Sequence, residues 1–467
     1  MSNKFICFAL FALVFGGCSL TPKLDIKSVE SADIQALGFN VTEKNSTINQ
    51  EWWKEYNDEE LNALVDEALK NNKDIEIALL NISLSRASLA IKEADLYPSL
   101  SAQGGASRTG TSRETYASGG RGSIFNDFSL SAILNYEVDL WGRVSSSNRA
   151  ARAVLLSSEA SADAVRLSLA SSVVDSYFAL VSLKEQIAIT EDTIATREKT
   201  LELTRIRFEE GVDRESTMVQ QQSLLTSAKI TKNNIEQQIA IASSALGILL
   251  GRDVKDLLAD KSIRLAALPN DIVVPNDIPS SILENRPDVE VSLQQLISSN
   301  ELIGTARAAY FPSLSLSGLF GFSSADAGDL LRSSAGNWNV GASLAAPLID
   351  FGRTSANVDV AQIQKDINVV NYEKTVLNAF REVYNALSSR ALLELNHKNA
   401  LDYEAAIART LELVQYEYEA GNVDFLSVLD AERSLLSAKL ARVQTHQSLL
   451  SSGVSLFKAL GGGWHKE

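Results

Sequence analysis

Two stretches of this chain, Arg143 to Glu210 and Arg353 to Ala420, each run for 68 residues without a glycine or a proline. Helix is the only regular state that suits such a run, because strands and loops of that length would need turn residues. At about 1.5 Å per residue each helix would be about 100 Å long, against an average of ~12 residues in globular proteins. No compact core can enclose an element of that size, so the long helices must pack on other long helices. Along the second run, Val376, Phe380, Val383 and Leu387 follow 4-3-4 spacing, and Tyr403, Ile407, Leu411, Val414 and Tyr418 follow 4-4-3-4. That is the seam of a coiled coil.

Each run ends at a glycine, Gly211 or Gly421. Val212-Asp213 or Asn422-Val423-Asp424 follows, and then a second glycine-free stretch to Ala245 or Ser452. The pattern predicts a tight helical hairpin: glycine supplies the left-handed residue that closes the first helix, and Asp213 or Asp424 caps the next. The return helices, 214–250 and 424–460, are about half as long as their partners. Helical stretches from Leu61 to Leu96, before Pro98, and from Asp288 to Tyr310, before Pro312, are the natural supplement.

The two halves repeat each other. Asn72-Lys73-Asp74-Ile75-Glu76 recurs as Arg286-Pro287-Asp288-Val289-Glu290, and Leu96-Tyr97-Pro98-Ser99-Leu100 as Tyr310-Phe311-Pro312-Ser313-Leu314, at an offset of 214. Beyond the prolines the offset is 210: Asp139-Leu140-Trp141-Gly142-Arg143 pairs with Ile349-Asp350-Phe351-Gly352-Arg353, and Leu250-Gly251 with Leu460-Gly461. The chain is a tandem duplication of one unit.

Between each proline and its long helix the period changes to two. Trp338, Val340, Ala342, Leu344, Ala346 and Leu348 alternate with Asn337, Asn339, Gly341, Ser343 and Ala345, and Phe128, Leu130, Ala132, Leu134 and Tyr136 alternate with Ser129, Ser131, Ile133 and Asn135. Leu314, Leu316, Phe320 and Phe322 do the same against serines, and Ser99 to Arg108 does so more weakly. These are strands with one apolar and one polar face, two hairpins over 99–138 and 313–348. Strands of ~10 residues, serine- and glycine-rich on one side and flanked by Tyr97, Trp141, Tyr310 and Trp338, suit a transmembrane β-barrel. The other reading is a water-facing sheet packed on helices. Four strands cannot close a barrel and open edges are not tolerated in lipid, so chains must share one; three chains give twelve strands.

At the N-terminus Lys4, the apolar run Phe5 to Phe15, Gly16 and Gly17 read as a secretory signal, 1–17, removed before Cys18. Its ~11 apolar residues are too few to span a bilayer. The only other cysteine is Cys7, so the mature chain has no disulfide framework. A formal charge of −15 argues against a nucleic-acid partner. The three histidines, His397, His446 and His465, are not spaced as metal ligands. No phosphate loop or nucleophile elbow opens a helix, so no enzyme, metal or cofactor is expected.

Taken together, the chain resembles the TolC-like outer-membrane factors, specifically the lipoprotein (NodT-type) branch serving resistance-nodulation-division efflux pumps. The stretch Asn285-Arg286-Pro287-Asp288-Val289-Glu290 through Ile303-Gly304-Thr305-Ala306-Arg307-Ala308-Ala309-Tyr310-Phe311-Pro312-Ser313-Leu314-Ser315-Leu316 carries the likeness most specifically. Trp52-Trp53, Asp350-Phe351-Gly352-Arg353 and Leu429-Asp430-Ala431 are further marks. The resemblance implies an α+β membrane protein: a homotrimer whose twelve-stranded outer-membrane β-barrel, four strands per chain, continues into a twelve-helix periplasmic α-barrel of coiled-coil hairpins. Its divisions would be a signal at 1–17, a tether and equatorial segment at 18–60, repeat 1 at 61–251, an equatorial linker at 252–280, repeat 2 at 281–461 and a tail at 462–467.

The function implied is a passive, gated exit duct for drugs, toxic compounds or metal ions, in partnership with a periplasmic adaptor (membrane-fusion) protein and an inner-membrane pump. A protein-secretion channel served by an ABC transporter shares the fold and is the alternative. Cys18 after two glycines matches a lipobox and would be acylated as an anchor in outer-membrane lipid; the other reading is a bystander of an ordinary cleavage site. Asp430 matches an aspartate of the periplasmic constriction, with Ser427 where some members carry a second. Arg433 and Tyr418 match positions tying neighbouring helices together when closed. In repeat 1 the corresponding region holds Ser216 and Thr217, the latter replacing an aspartate. Gly211, Val212, Asp213, Gly421, Asn422 and Asp424 would shape the tips on which the adaptor docks. From the residues alone, Asp430 is also readable as a solvated helix residue paired with Arg433 at i,i+3.

Overall fold

In the computed structural model, which describes residues 19–24, 51–112, 114, 123–252, 269 and 286–462, both long runs are single helices. In chain order the elements are a 3-10 turn at Trp52–Tyr56, α1 (Glu59–Asn71), α2 (Lys73–Ala94), β1 (Ser99–Gly110), β2 (Ile124–Val138), α3 (Arg143–Glu209) and α4 (Glu215–Leu249). There follow α5 (Pro287–Ala308), β3 (Ser313–Ser324), β4 (Gly336–Ala345), α6 (Arg353–Glu419) and α7 (Phe425–Ala459). The stretch expected as one helix from Leu61 to Leu96 is two. It breaks at Asn72, whose extended backbone and side-chain oxygen, accepting from the amides of Asp74 and Ile75, end α1 and start α2.

The described residues fall into two units. The first holds the sheet, residues 19–24, α2 from Asn81, α5 from Val291, α3 up to Glu159 and α6 up to Glu373. The strands pair antiparallel in the order β1-β2-β3-β4. Register decides which face each side chain shares: Ala102 pairs with Ala132, Ala132 with Phe320 and Phe320 with Trp338, while Leu100, Leu134, Gly318 and Val340 form the next row. Leu100, Phe320, Trp338, Val340 and Leu344 are exposed, so among the described residues this apolar face is largely uncovered. The opposite rows, such as Ser99–Asn135–Ser317–Gly341, are polar. Trp141 joins the two repeats at the base of the sheet: its indole N–H donates to the Pro312 carbonyl at 2.9 Å and its ring stacks on Phe311 at 4.6 Å.

The second unit packs α1 and the turn before it against the middle of α3 and the ends of α4 and α7. Trp52, Leu61, Val65 and Ala68 meet Val173, Val174, Tyr177 and Phe178, with Leu246 and Leu450 closing the core. This explains an apolar window in α3 that by composition could pass for a membrane span: its large side chains are the core of the unit. Tyr177 Oη donates to Asp58, the cap of α1, at 2.5 Å.

Candidate functional site

The duplication repeats in chemistry as well as in sequence. Where α4 ends, Asn72 Nδ2 donates to the Leu249 carbonyl at 2.9 Å; where α7 ends, Arg286 donates to the Ala459 carbonyl at 2.6 Å. Asn72 and Arg286 are equivalent in the repeat, and so are Leu249 and Ala459. Each satisfies a last-turn carbonyl that its helix leaves without an intrahelical partner. Arg286 is buried and also forks onto Asp288 and reaches Glu382 of α6 at 2.7 Å. These contacts hold its guanidinium charged despite burial. Gly251 (φ +70°) and Gly461 (φ +86°) follow the two ends, and a Cβ on Gly251 would lie 2.4 Å from the Asn71 carbonyl oxygen. Sequence reading marked Arg286 only as a motif residue. The signal that could have found its role is the pairing of Asn72 with Arg286 at the 214-residue offset, each preceding a helix.

At the hairpin tips, Gly211 (φ +72°) and Gly421 (φ +76°) adopt the left-handed conformation. The amide of Gly211 donates to Phe208 and that of Val212 to Arg207; Gly421 donates to Tyr418 and Asn422 to Glu417. These paired bonds are the Schellman closure of a helix. Asp424 caps α7, accepting from both the amide and the hydroxyl of Ser427 at 3.2 Å. Asp213, expected from the sequence to cap α4, does not: its carboxylate is taken by Arg207 at 2.8 Å, and Arg214 stands at the cap with no side-chain bond. The competing cation on the preceding helix outweighs a neutral amide, since charged pairs make the stronger hydrogen bonds.

Asp430 lies on the exposed stripe of α7 and accepts from Arg433 at 3.0 Å, one turn on. Both side chains are more than half exposed within the chain. Ser427 faces Asp424 and adds no second acid beside Asp430. Tyr418 packs its ring on Phe425 across the turn at 5.1 Å. Val212, Gly211, Gly421 and Asn422 are exposed at the tips. Among the described residues no cluster of three potential metal ligands occurs.

Cys18 lies outside the described residues, but the segment that follows it is held firmly. Thr21 donates to Glu301 at 3.0 Å, Asn300 donates to the Pro22 carbonyl at 2.9 Å, and Arg307 reaches the Leu20 carbonyl. Gly304 makes room for it: a Cβ there would lie 2.3 Å from Thr21 Oγ1. Residues 19–24 are thus fixed along α5, the helix that leads into β3.

A family model described as outer membrane efflux protein matches residues 64–252 and 278–462, one match for each repeat. A probable efflux pump outer membrane protein of Pseudomonas putida, TtgC, is 33% identical over 471 residues, covering 100% of this chain and 97% of its own. The cation efflux system protein CusC of Escherichia coli is 31% identical over 454 residues, covering 97% of this chain and 98% of its own. Among solved structures, the CmeC outer membrane channel of Campylobacter jejuni superposes with a TM-score of 0.89 at 33% identity, covering 96% of this chain and 95% of that one. With both repeats matched, and with the four-stranded sheet and long helix pairs of the solved channel, this chain belongs to the outer membrane efflux protein family.

Proposed function

We propose that the chain forms, as a homotrimer, the outer-membrane exit duct of a tripartite efflux pump: a passive channel, gated at its periplasmic end, that carries small molecules onward from an inner-membrane pump and a periplasmic adaptor. One observation carries the reading. Among the described residues, the four-stranded sheet exposes a continuous apolar face and leaves β1 and β4 as unpaired edges, within a chain whose long helices run for 67 residues. Apolar surface facing outward suits hydrocarbon, and the edges find partners only if β1 of one copy pairs with β4 of the next. The relatives bear names of efflux pumps and cation efflux, which favours small solutes over exported proteins as cargo.

In this reading the sheet lies in the outer membrane and the hairpins extend into the periplasm. Cys18 carries the lipid, and its position one residue before the segment fixed along α5 would keep the acyl chains close to the barrel. The exposed tips around Gly211, Val212, Asp213, Gly421, Asn422 and Asp424 receive the adaptor. Three copies of Asp430 line the lumen near the tip as an acidic ring, each carboxylate partly offset by its own Arg433, while Tyr418 and Ser427 brace the turn behind it.

The test is Asp430→Ala in planar bilayers. Loss of the ring should raise single-channel conductance, reduce cation selectivity and weaken block by multivalent cations. Asp402→Ala, away from the tip, is the control. Wild-type behaviour of Asp430→Ala would make Asp430 an ordinary solvated residue. Mass spectrometry of the mature N-terminus tests the anchor, and an unmodified Cys18 would remove it.

A further inference from the structure

Each strand pairing within the chain carries the duplication with it. Ser99 pairs with Asn135, and their equivalents 214 and 210 residues on, Ser313 and Ala345, pair with each other. The two hairpins therefore share one register, and the seam between them, β2 on β3, joins the end of one repeat's hairpin to the start of the next. There Asn135 meets Ser317, Leu134 meets Gly318 and Val138 meets Leu314. Past the strands, the Trp141 ring packs on Phe311 and its indole N–H reaches the Pro312 carbonyl. Along the start of α3, Ser146 bonds to Thr21, Arg149 to Glu301 of α5 and Ser157 to the Val291 carbonyl of α5, and Ala150 and Ala153 on the same stripe are buried.

Among the described residues, the matching positions at the two free edges are largely uncovered. Phe351 and Leu348, the equivalents of Trp141 and Val138, are 99% and 94% exposed, and Tyr97 and Leu100, the equivalents of Phe311 and Leu314, are exposed as well. On α6, Val360, Ile363 and Ile367 stand where α3 has Ala150, Ala153 and Ser157, and all three are exposed. On α2, the exposed Leu84 and Ile91 stand where α5 has Ser298 and Thr305. Small and polar side chains thus fill the inner seam, and large aliphatic ones line the two outer surfaces. Space changes with them. Gly304 leaves room for Thr21 and Ser146, a Cβ there lying 2.9 Å from Ser146 Oγ, whereas the equivalents Ala90 and Ala356 both carry a Cβ and are exposed.

We propose that the seam between neighbouring protomers is built on the plan of the seam inside one. β4 pairs with β1 of the next copy in the register that β2 takes on β3, setting Ala345 against Gln103, Leu344 against Gly104 and Leu348 against Leu100 of that copy, with Phe351 packed on its Tyr97. The α6 stripe of Val360, Ile363 and Ile367 lies on Leu84 and Ile91 of the same copy's α2. This register rests on the shared-barrel reading. The two seams differ in what holds them. Arg149 and Glu301 pair across the inner seam, but their equivalents are Asp359 and Ala87, so aliphatic burial holds the outer one and salt screens it little. Phe351 also lacks the indole N–H with which Trp141 holds the Pro312 carbonyl.

The experiment oxidises the full chain in outer membranes carrying A345C/Q103C and reads gels run in SDS without reductant. Residues directly opposed in an antiparallel pair lie about 4.5–5.5 Å apart at Cα, within a disulfide's range, and diagonal ones about 7–8 Å, beyond it. A345C/Q103C should therefore give covalently linked chains, with far less from the slipped pairs A345C/S101C and A345C/G105C and none from the single variants, which also control for Cys18. Linkage mainly at a slipped pair, or none at any pair in a protein that is a trimer by mass, overturns the proposed seam and leaves the shared barrel. A protein that never links and is monomeric by mass overturns both. Because Phe351 takes a left-handed backbone (φ +54°) where Trp141 does not, the aromatic contact is tested apart from the register. F351A and Y97A should each lower the temperature at which the trimer dissociates in SDS, the double variant no further than the lower of the two, and F351W should raise it by supplying the missing donor. An unchanged dissociation temperature in F351A, or additive losses in the double variant, refutes the contact. Should neither alanine variant assemble, F351W decides alone: no gain refutes it.

Discussion

Replacing Arg286 by methionine removes four hydrogen bonds at once, yet they are not of equal worth. Asp288 and Glu382 are each 46% exposed at the side chain, so both carboxylates rehydrate when the guanidinium is gone, and each pair contributes only about 0–1 kcal/mol. The Ala459 carbonyl is different, because Ala459 is buried and a carbonyl stranded there costs about 1–3 kcal/mol. The sum is about 1–5 kcal/mol, with a midpoint of about 3. Asn72→Ala at the equivalent junction strands the Leu249 carbonyl, about 1–3 kcal/mol, and removes the cap of α2, about 1 kcal/mol more, although Asn72 carries no charge. The two variants should therefore destabilise the protein equally to within about 1 kcal/mol. Guanidinium titration followed by tryptophan fluorescence reads this directly, since Trp52 stacks at 4.9 Å on Phe457, two residues before Ala459. Arg286→Lys keeps the charge and loses the fork, and should recover at most half of the loss. If Arg286→Met costs more than about 5 kcal/mol while Asn72→Ala costs less than about 0.5, the ion pairs dominate and the argument from the carbonyl is wrong.

Asp175 of α3 is half-buried, with one shielded oxygen lacking a partner, and its pKa is pushed up to about 6 chiefly by desolvation, against an ordinary value of 3.8. The folded state thus binds the proton more tightly than the unfolded one. Stability should fall as pH rises from about 4 to about 6, by ~3 kcal/mol at most, and Asp175→Asn should flatten that slope and stabilise the protein at neutral pH in denaturant titrations. Gly421→Ala meets open space and should cost only the left-handed backbone, about 1–2 kcal/mol; Gly251→Ala adds a clash with the Asn71 carbonyl and should lower the melting temperature considerably further. Val340→Arg places a charge on the exposed apolar face of β4 and should weaken insertion by about 2–4 kcal/mol, seen as loss of trimer from the outer-membrane fraction.

Much of the architecture was legible because it rests on periodicities that are local. Runs free of glycine and proline could only be helices, the change to period two could only be strands, and Gly211 and Gly421 marked the turns where a left-handed residue was needed; α3 and α6 end one residue from where the sequence stops them. The apolar face of the sheet also followed from alternation alone, since register preserves it across β1 to β4. What escaped the sequence depends on choices between partners distant along the chain. Asn72 could have continued a helix, and it breaks one because its Nδ2 donates to the Leu249 carbonyl while its Oδ1 accepts from the amides of α2. Asp213 stood where a cap belongs, but Arg207 holds it. The burial of Arg197 on α3 and Gln221 on α4, 3% and 0% exposed, has no sequence signal at all, because a helix face reads as polar or apolar by residue type, whereas burial is set by which neighbouring helix packs there and at what rotation. Local chemistry chose the elements; the packing of α7 against α3 and α4 chose which of their charges lost access to water.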